Sequence, residues 1–279
     1  MLYNNIYHVR ISESSLVKGL KYMLLAVDIG NTSIDFGIFD ELGNLKMKSK
    51  ISSVRSKTAD EYAATLNGIF AVNGFSAKEI TGSIVSSVVP SLTSAVKQAV
   101  RKLTGIAPLE VGPGIRTGLN IKIDVQTQLG ADIVANSVAV VSAHRCPVIM
   151  IDVGTATTFT VIDGEGVLEG VIIAPGLRVS LDALAESAAE LTDVSLSPPK
   201  RFVGKNTRDS VCSGALYGHA FMIDGFVERI RLTQGVAEAE GIITGGLAET
   251  VLPLCSVKAK YEPDLVLNGL WLIYRKNKK

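Results

Sequence analysis

The chain has 279 residues, 47% of them hydrophobic and 20% charged, with a formal net charge of +1. Such a chain suits one large globular domain or two modest ones, and it carries no basic footprint for nucleic acid or an anionic membrane. Aromatic residues, at 6%, are too few for base-stacking platforms. Three separated cysteines, Cys146, Cys212 and Cys255, make neither a disulfide framework nor a zinc motif, so a reduced, cytoplasmic protein is expected.

No apolar run reaches the roughly 20 residues of a membrane-crossing helix. Residues 1–22 lack the apolar core and cleavage site of a signal peptide and read as a dispensable extension, or an upstream start, ahead of Met23. From there the predicted order is strand Leu24–Asp28, a tight turn, strand Ser33–Phe39, a turn at Gly43-Asn44 and a strand to about Ile51. Thr58-Ala-Asp-Glu61 is a capping box opening a helix that ends near Asn73-Gly74. A buried strand at Gly82–Val88 leads through Pro90 into a helix to Leu103, then a short strand Leu109–Val111 and the loop GPGIRTG. A further helix is expected from Gly130-Ala131-Asp132 to about His144.

The order then begins again. Strands are predicted at Val148–Asp152, Thr157–Ile162 and Gly166–Ile173, helices at Leu177–Leu191 and Thr207–Leu232, a buried strand at Gly241–Thr244, and a closing amphipathic helix at Asp264–Arg275. Asp28-Ile-Gly30 matches Asp152-Val-Gly154, and Asp40-x-x-Gly43-x-Leu45 matches Asp163-x-x-Gly166-x-Leu168. This is an internal duplication too long for a solenoid repeat. It predicts an α/β protein of two duplicated domains, 23–129 and 130–279, facing each other across a cleft.

A tight Asp-x-Gly turn exposes backbone N–H groups and lets an oxygen-rich ligand approach closely. Asn31, Thr32 and Ser33 add donors in the first half; Thr155, Thr157 and Thr158 do so in the second. Two such turns can grip a polyphosphate, whereas their carboxylates must hold a cation or take a proton. Gly245-Gly246, after the buried strand, suits approach to the nucleoside end of the same ligand, although such glycines also serve helix packing.

These stretches resemble the ATP-binding superfamily of actin, Hsp70 and the sugar kinases, with its ribonuclease-H-like domains, and within it the type III pantothenate kinases. The resemblance is carried by DIGNT (28–32), TADEY (58–62), SSVVPSLT (86–93), VGPGIRTG (111–118), LGAD (129–132), DVGTATTFTVID (152–163), IAPGL (173–177), GKNT (204–207) and ITGG (243–246). It implies a cytoplasmic homodimer that moves the γ-phosphate of ATP to pantothenate, giving 4'-phosphopantothenate, the first step towards coenzyme A. By position it implies that Asp28, Ile29, Gly30, Asn31, Thr32, Ser33, Ile34 and Asp35, with Thr155, contact ATP. Asp152 matches the ligand of a monovalent cation, potassium or ammonium, and magnesium accompanies the nucleotide. Asp132 matches the proton acceptor, Gly130, Ala131, Asp132 and Ile133 the pantothenate-binding stretch, and Thr207 a further substrate contact. Asp132 and Thr207 are also plausible helix-start residues on their own account.

The acceptor side departs from the family pattern. Ile133 stands where an Arg is usual, Ile123 where a Tyr is, Val125-Gln126 for Asn-Pro, and Ser187-Ala-Ala-Glu-Leu191-Thr192 for an Arg-Thr-Ala-x-Leu-Pro stretch. Arg116, Arg178 or Arg208 could supply a replacement cation. The departures leave open an ATP-binding paralogue acting as a regulator, and a kinase for another small hydroxylated acceptor. His219 reads as a core or interface residue, and the small-residue face of Ser213, Gly214 and Gly218 as a dimer contact. Asp224 and Glu228 have no visible metal partner, and Lys200-Arg201 reads as a loop charge cluster.

Overall fold

The structure, a computed structural model, describes residues 22–188 and 196–278. The proposed extension and the stretch containing Leu191 and Thr192 lie outside the described residues, apart from Tyr22 and the neighbouring Ser187 and Ala188. In chain order the elements begin β1 (Met23–Ile29), β2 (Ser33–Asp40), β3 (Leu45–Ser52), α1 (Ala59–Val72), β4 (Gly82–Ser87), α2 (Pro90–Thr104) and β5 (Leu109–Glu110). They continue with β6 (Asn120–Ile121), α3 (Ala131–Ala143), β7 (Val148–Val153), β8 (Ala156–Ile162), β9 (Val167–Pro175) and α4 (Leu177–Ser187). The chain ends with α5 (Thr207–Thr233), β10 (Glu240–Thr244), α6 (Ala248–Val251), β11 (Ala259–Tyr261) and α7 (Leu265–Asn277).

Two compact units result: 22–119 with 125–143 and 265–278, and 120–124 with 144–264. The first holds a sheet in the order β3-β2-β1-β4-β5, the second a sheet in the order β11-β10-β7-β8-β9-β6. In each, an antiparallel three-strand meander receives a parallel strand beside its first member, β4 on β1 and β10 on β7. The duplicated α/β pattern is therefore present at the level of strand pairing. The chain enters each unit more than once, because α3 and α7, which a single cut at 129/130 would assign to the second half, pack on the first sheet.

Alternation along β1 shows why. Met23, Leu25, Val27 and Ile29 point into a core with Tyr62, Leu66 and Phe70 of α1 and Leu92, Val96 and Val100 of α2. Leu24 and Ala26 point the other way, onto Ala135 and Val138 of α3 and Leu267, Leu270 and Trp271 of α7. Successive strand residues face opposite sides, so Asp28 shares the α3/α7 face. Gly269 of α7 lies against Ala135 of α3 so closely that an added Cβ would collide with the Ala135 carbonyl oxygen. The pairing of these helices thus depends on a missing side chain. In the second unit Ile149, Ile151 and Val153 of β7 join Phe159 and Val161 of β8 against Leu216, Ala220, Ile223 and Val227 of α5. Asp152, out of phase with those residues, lies on the opposite face.

Local signals fix the helix ends. The Thr58 hydroxyl accepts the Glu61 N–H at 3.3 Å while a Glu61 carboxylate oxygen accepts the Thr58 N–H at 2.7 Å, the predicted capping box. α5 starts at Thr207 as expected, but its cap is Asn206, accepting the Asp209 N–H at 2.8 Å, so Thr207 is the first residue inside the helix and not the cap. An amide side chain satisfies that free N–H as well as a hydroxyl does. Among the described residues no helix is long and apolar enough to cross a membrane.

Candidate functional site

The first acidic turn is built by three strands. Asp28 sits opposite Asp35 across β1–β2 and beside Ser86 across β1–β4, so all three side chains share one face. The Ser86 hydroxyl donates to Asp28 Oδ1. Asp35 accepts from Ser33 Oγ at 3.2 Å and pairs with Lys50 Nζ at 3.3 Å. The turn itself is closed by Gly30 N–H donating to the Ser33 carbonyl at 2.9 Å and by Ser53, whose hydroxyl donates to the Gly30 carbonyl at 2.6 Å. Ile29 and Ile34 are buried as anchors, while Asn31 and Thr32 stand exposed at the tip.

On the same face of this unit α3 begins with Asp132 in its first turn. Asp132 Oδ1 accepts the Ile133 N–H at 2.8 Å. Burial nevertheless raises its pKa above the usual carboxylate value, with the backbone N–H bonds only partly opposing it. Gly130, next to Val88, brings backbone against the Asp132 carboxylate, leaving no room for a Cβ there. Ile133 is buried at 7% exposure and Ile123 half-buried, so the positions where an Arg and a Tyr are usual carry apolar, largely covered side chains.

The second acidic turn differs in detail. Asp152 faces Thr158 across β7–β8 and Thr244 across β7–β10. The Thr158 hydroxyl oxygen is buried and has no hydrogen-bond partner among the described residues. Gly245, at φ +100°, closes on this carboxylate: a Cβ there would stand 2.6 Å from Asp152 Oδ1 and 2.5 Å from the Val153 nitrogen. Only glycine adopts that conformation in that space. Thr155 is exposed at the turn, with its carbonyl accepting the Gly176 N–H at 3.1 Å, and Gly246 is exposed beyond Gly245. Thr207 is exposed at the start of α5. The structure thus gathers Asp28–Asp35 with Gly130–Ile133 in the first unit, and Asp152 and Thr155 with Gly245 in the second.

A family model described as type III pantothenate kinase matches residues 24–229, running through both acidic turns, the start of α3 and most of α5. A type III pantothenate kinase of Shouchella clausii is 42% identical over 255 residues, covering 91% of this chain and all of the relative. This chain belongs to the type III pantothenate kinase family. A second member, from Moorella thermoacetica, is 40% identical with the same coverage. Among solved structures the chain is similar to the activator of the 2-hydroxyisocaproyl-CoA dehydratase from Clostridium difficile with bound ADPNP, at TM-score 0.56 and 13% identity, covering 92% of this chain and 98% of that one. That likeness is one of fold, the actin-like ATPase fold.

Other residues take structural roles in this kinase family member. His219 of α5 is buried with its Nε2 2.9 Å from Thr157 Oγ1, and burial lowers its proton affinity. Asp224 anchors the chain after α6, accepting the Ser256 N–H at 2.8 Å and the Val257 N–H at 2.9 Å. Lys200 and Arg201 lie on exposed loop. The sequence places Ser86 in SSVVPSLT and Thr244 in ITGG but gives neither of them, nor Lys50, a role at the acidic turns. What marks Ser86 and Thr244 is register: Ser86 of β4 stands beside Asp28 and Thr244 of β10 beside Asp152.

Proposed function

We propose that this protein transfers the γ-phosphate of ATP to the primary hydroxyl of pantothenate, yielding 4'-phosphopantothenate, as a cytoplasmic homodimer. The observation that carries this is the family match, which spans both acidic turns and the α3 start in one alignment. Phosphoryl transfer passes through a loose transition state, so positioning and charge neutralisation dominate and a base adds a smaller share.

In this reading Asp28 to Asp35 and Thr155 hold the phosphates through backbone and hydroxyl donors, and Gly245-Gly246 admits the nucleoside. Asp132 takes the proton of the acceptor hydroxyl, on the oxygen that Ile133 N–H does not occupy; its raised proton affinity suits a base working near neutral pH. Gly130 to Ile133 and Thr207 contact pantothenate. The residues around Asp152 fit a monovalent cation: one carboxylate, a buried hydroxyl oxygen on Thr158 without a partner among the described residues, and the Gly245 backbone lying close against that carboxylate. Hard cations take such oxygen donors, and no group of three or more His, Cys, Asp or Glu side chains suited to a tightly caged metal occurs among the described residues. Bound there, the cation would neutralise phosphate charge. Asp28 and Asp35, opposed across two strands, fit the one or two carboxylates that magnesium takes beside a triphosphate.

The dimer contact is assigned to α5. An added Cβ on Gly214 or Gly218 meets nothing within 4 Å, and beside them Phe202 and Phe221 are more than half exposed in a ring cluster with Tyr217. Exposed aromatic clusters of this kind mark protein contacts.

A second reading, an ATP-binding regulator, is favoured by one observation, the covered apolar side chains of Ile133 and Ile123 in place of charged and polar ones. The deciding experiment is ADP release with pantothenate in potassium and in sodium buffer, for the wild type and Ile133→Arg. Potassium-stimulated, pantothenate-dependent turnover by the wild type establishes the kinase. A silent wild type that binds ATP, with turnover only in Ile133→Arg, establishes the regulator.

A further inference from the structure

We propose that Ser86 is a positioning residue for the phosphate-binding turn: its hydroxyl fixes the Asp28 carboxylate so that the second oxygen is held towards the triphosphate and its metal. The proposal rests on the reading of Asp28 as part of the ATP site. Three observations lead to it. Ser86 is fully buried, next to Ile84 and Val85 in β4, where an unpaired hydroxyl is costly. Its hydroxyl donates to Asp28 Oδ1, its register partner in β1. In the second unit the equivalent place beside Asp152 is again a buried hydroxyl residue, Thr244 of β10.

Burial of serine in β4 does not by itself produce such a bond. Ser83, in the same strand and only 1% exposed, has a hydroxyl with no partner among the described residues. Ser83 is thus packing, and Ser86 is packing plus a directed hydrogen bond to a carboxylate. A carboxylate at a strand end can rotate about its terminal torsion, which is broad. One oxygen fixed by Ser86 leaves a single orientation for the other, so the ligand need not impose it on binding.

The test is calorimetric binding of magnesium-ATP to the full chain, with steady-state kinetics alongside, for the wild type, Ser86→Ala, Ser86→Thr, Ser83→Ala, Asp28→Ala and Asp28→Ala/Ser86→Ala. A hydrogen bond to a charged group predicts that Ser86→Ala weakens magnesium-ATP binding about ten- to a hundredfold. Ser83→Ala should stay within about twofold, Ser86→Thr should recover most of the loss, and Ser86→Ala should add nothing once Asp28 is alanine. The proposal is overturned if Ser86→Ala binds like the wild type, if Ser83→Ala is equally damaging, or if the Ser86→Ala loss is undiminished without Asp28. A folded wild type that binds no ATP overturns the ATP reading itself, and this assignment with it, a result distinct from those three. Should Ser86→Ala not fold, Ser86→Cys keeps the volume, removes the strong donor and carries the same outcomes.

Discussion

The two acidic turns share a sequence pattern but differ in what surrounds the carboxylate. Asp28 meets a second carboxylate, Asp35, and a donating hydroxyl, Ser86, with Lys50 close behind. Asp152 meets two threonines and a glycine backbone. The first turn concentrates negative charge, which suits a divalent ion shared with phosphate; the second offers one charge among neutral oxygens, which suits a monovalent ion. The duplication kept the turn and changed its electrostatics. Asp132 stands at the start of α3, on the same face of the same sheet as the first turn, so in the proposed reading chemistry belongs to the first unit and cation response to the second.

The sharpest way to break that division is Asp132→Asn. Loss of a general base costs about 10²- to 10⁴-fold in kcat, and ATP binding and potassium response should remain. Because the base must be ionised and burial raises its proton affinity, wild-type kcat should climb with pH through a midpoint above the ordinary carboxylate value. Asp132→Asn should lose that rise. A pH–rate profile checks both, and an unchanged rise in the variant would remove Asp132 from the role.

Next in size is a comparison of glycines. Gly30 and Gly154 occupy the same place in the repeated motif, yet a Cβ on Gly30 would lie 3.1 Å from the Ser33 carbonyl oxygen and one on Gly154 no nearer than 3.5 Å to anything. In the second turn the constraint has moved to Gly245, with its positive φ and contacts of 2.5 and 2.6 Å. Gly245→Ala should therefore cost at least the roughly 1–3 kcal/mol of a strained backbone conformation, measurable by urea unfolding, and abolish potassium-dependent thermal stabilisation. Gly30→Ala should cost less, and Gly154→Ala almost nothing. Equal costs for Gly154→Ala and Gly245→Ala would contradict the geometry.

The same contrast explains what was legible in the sequence. Five of the six meander strands were readable as apolar-rich segments next to Asp, Gly or Asn, β3 as an alternation of Leu45, Met47 and Ile51 with lysine and serine, and α1 from the capping box Thr58–Glu61. β6 and β11, of two and three residues, were not: they exist only because β9 and β10 offer them a pairing edge. The attachment of α7 to the first sheet depends on the contact between Gly269 and Ala135, far apart in the chain, which no local period reports. At the site, Asp28 and Asp152 stood out as acids ending apolar strands. Ser86 and Thr244 became interpretable only once strand register placed them beside those acids.

The smallest expected effect separates the units by pH. The described part of the first unit contains no histidine, whereas the second holds His144 and His219. The His144 side chain is 4% exposed, with Nδ1 3.8 Å from Glu240 and Nε2 3.6 Å from Glu262, which also pairs with Lys260. Its proton affinity is lowered, mainly by burial and then by the Lys260 charge, with Glu262 and Glu240 opposing. His219 is lowered by burial alone. For a base depressed in the folded state, the unfolded chain takes up the proton first, so stability falls as pH drops below the ordinary histidine value and levels off below the folded one. Each histidine can contribute a slope of at most about 1.4 kcal/mol per pH unit within that window. His144→Gln should flatten part of the slope in urea unfolding followed between neutral and mildly acidic pH. The flattening should appear at the second unit's probes while Trp271, in α7 of the first unit, reports little change. A change seen equally at Trp271 would mean that the two units unfold as one, and the division of labour would then be chemical without being a division of stability.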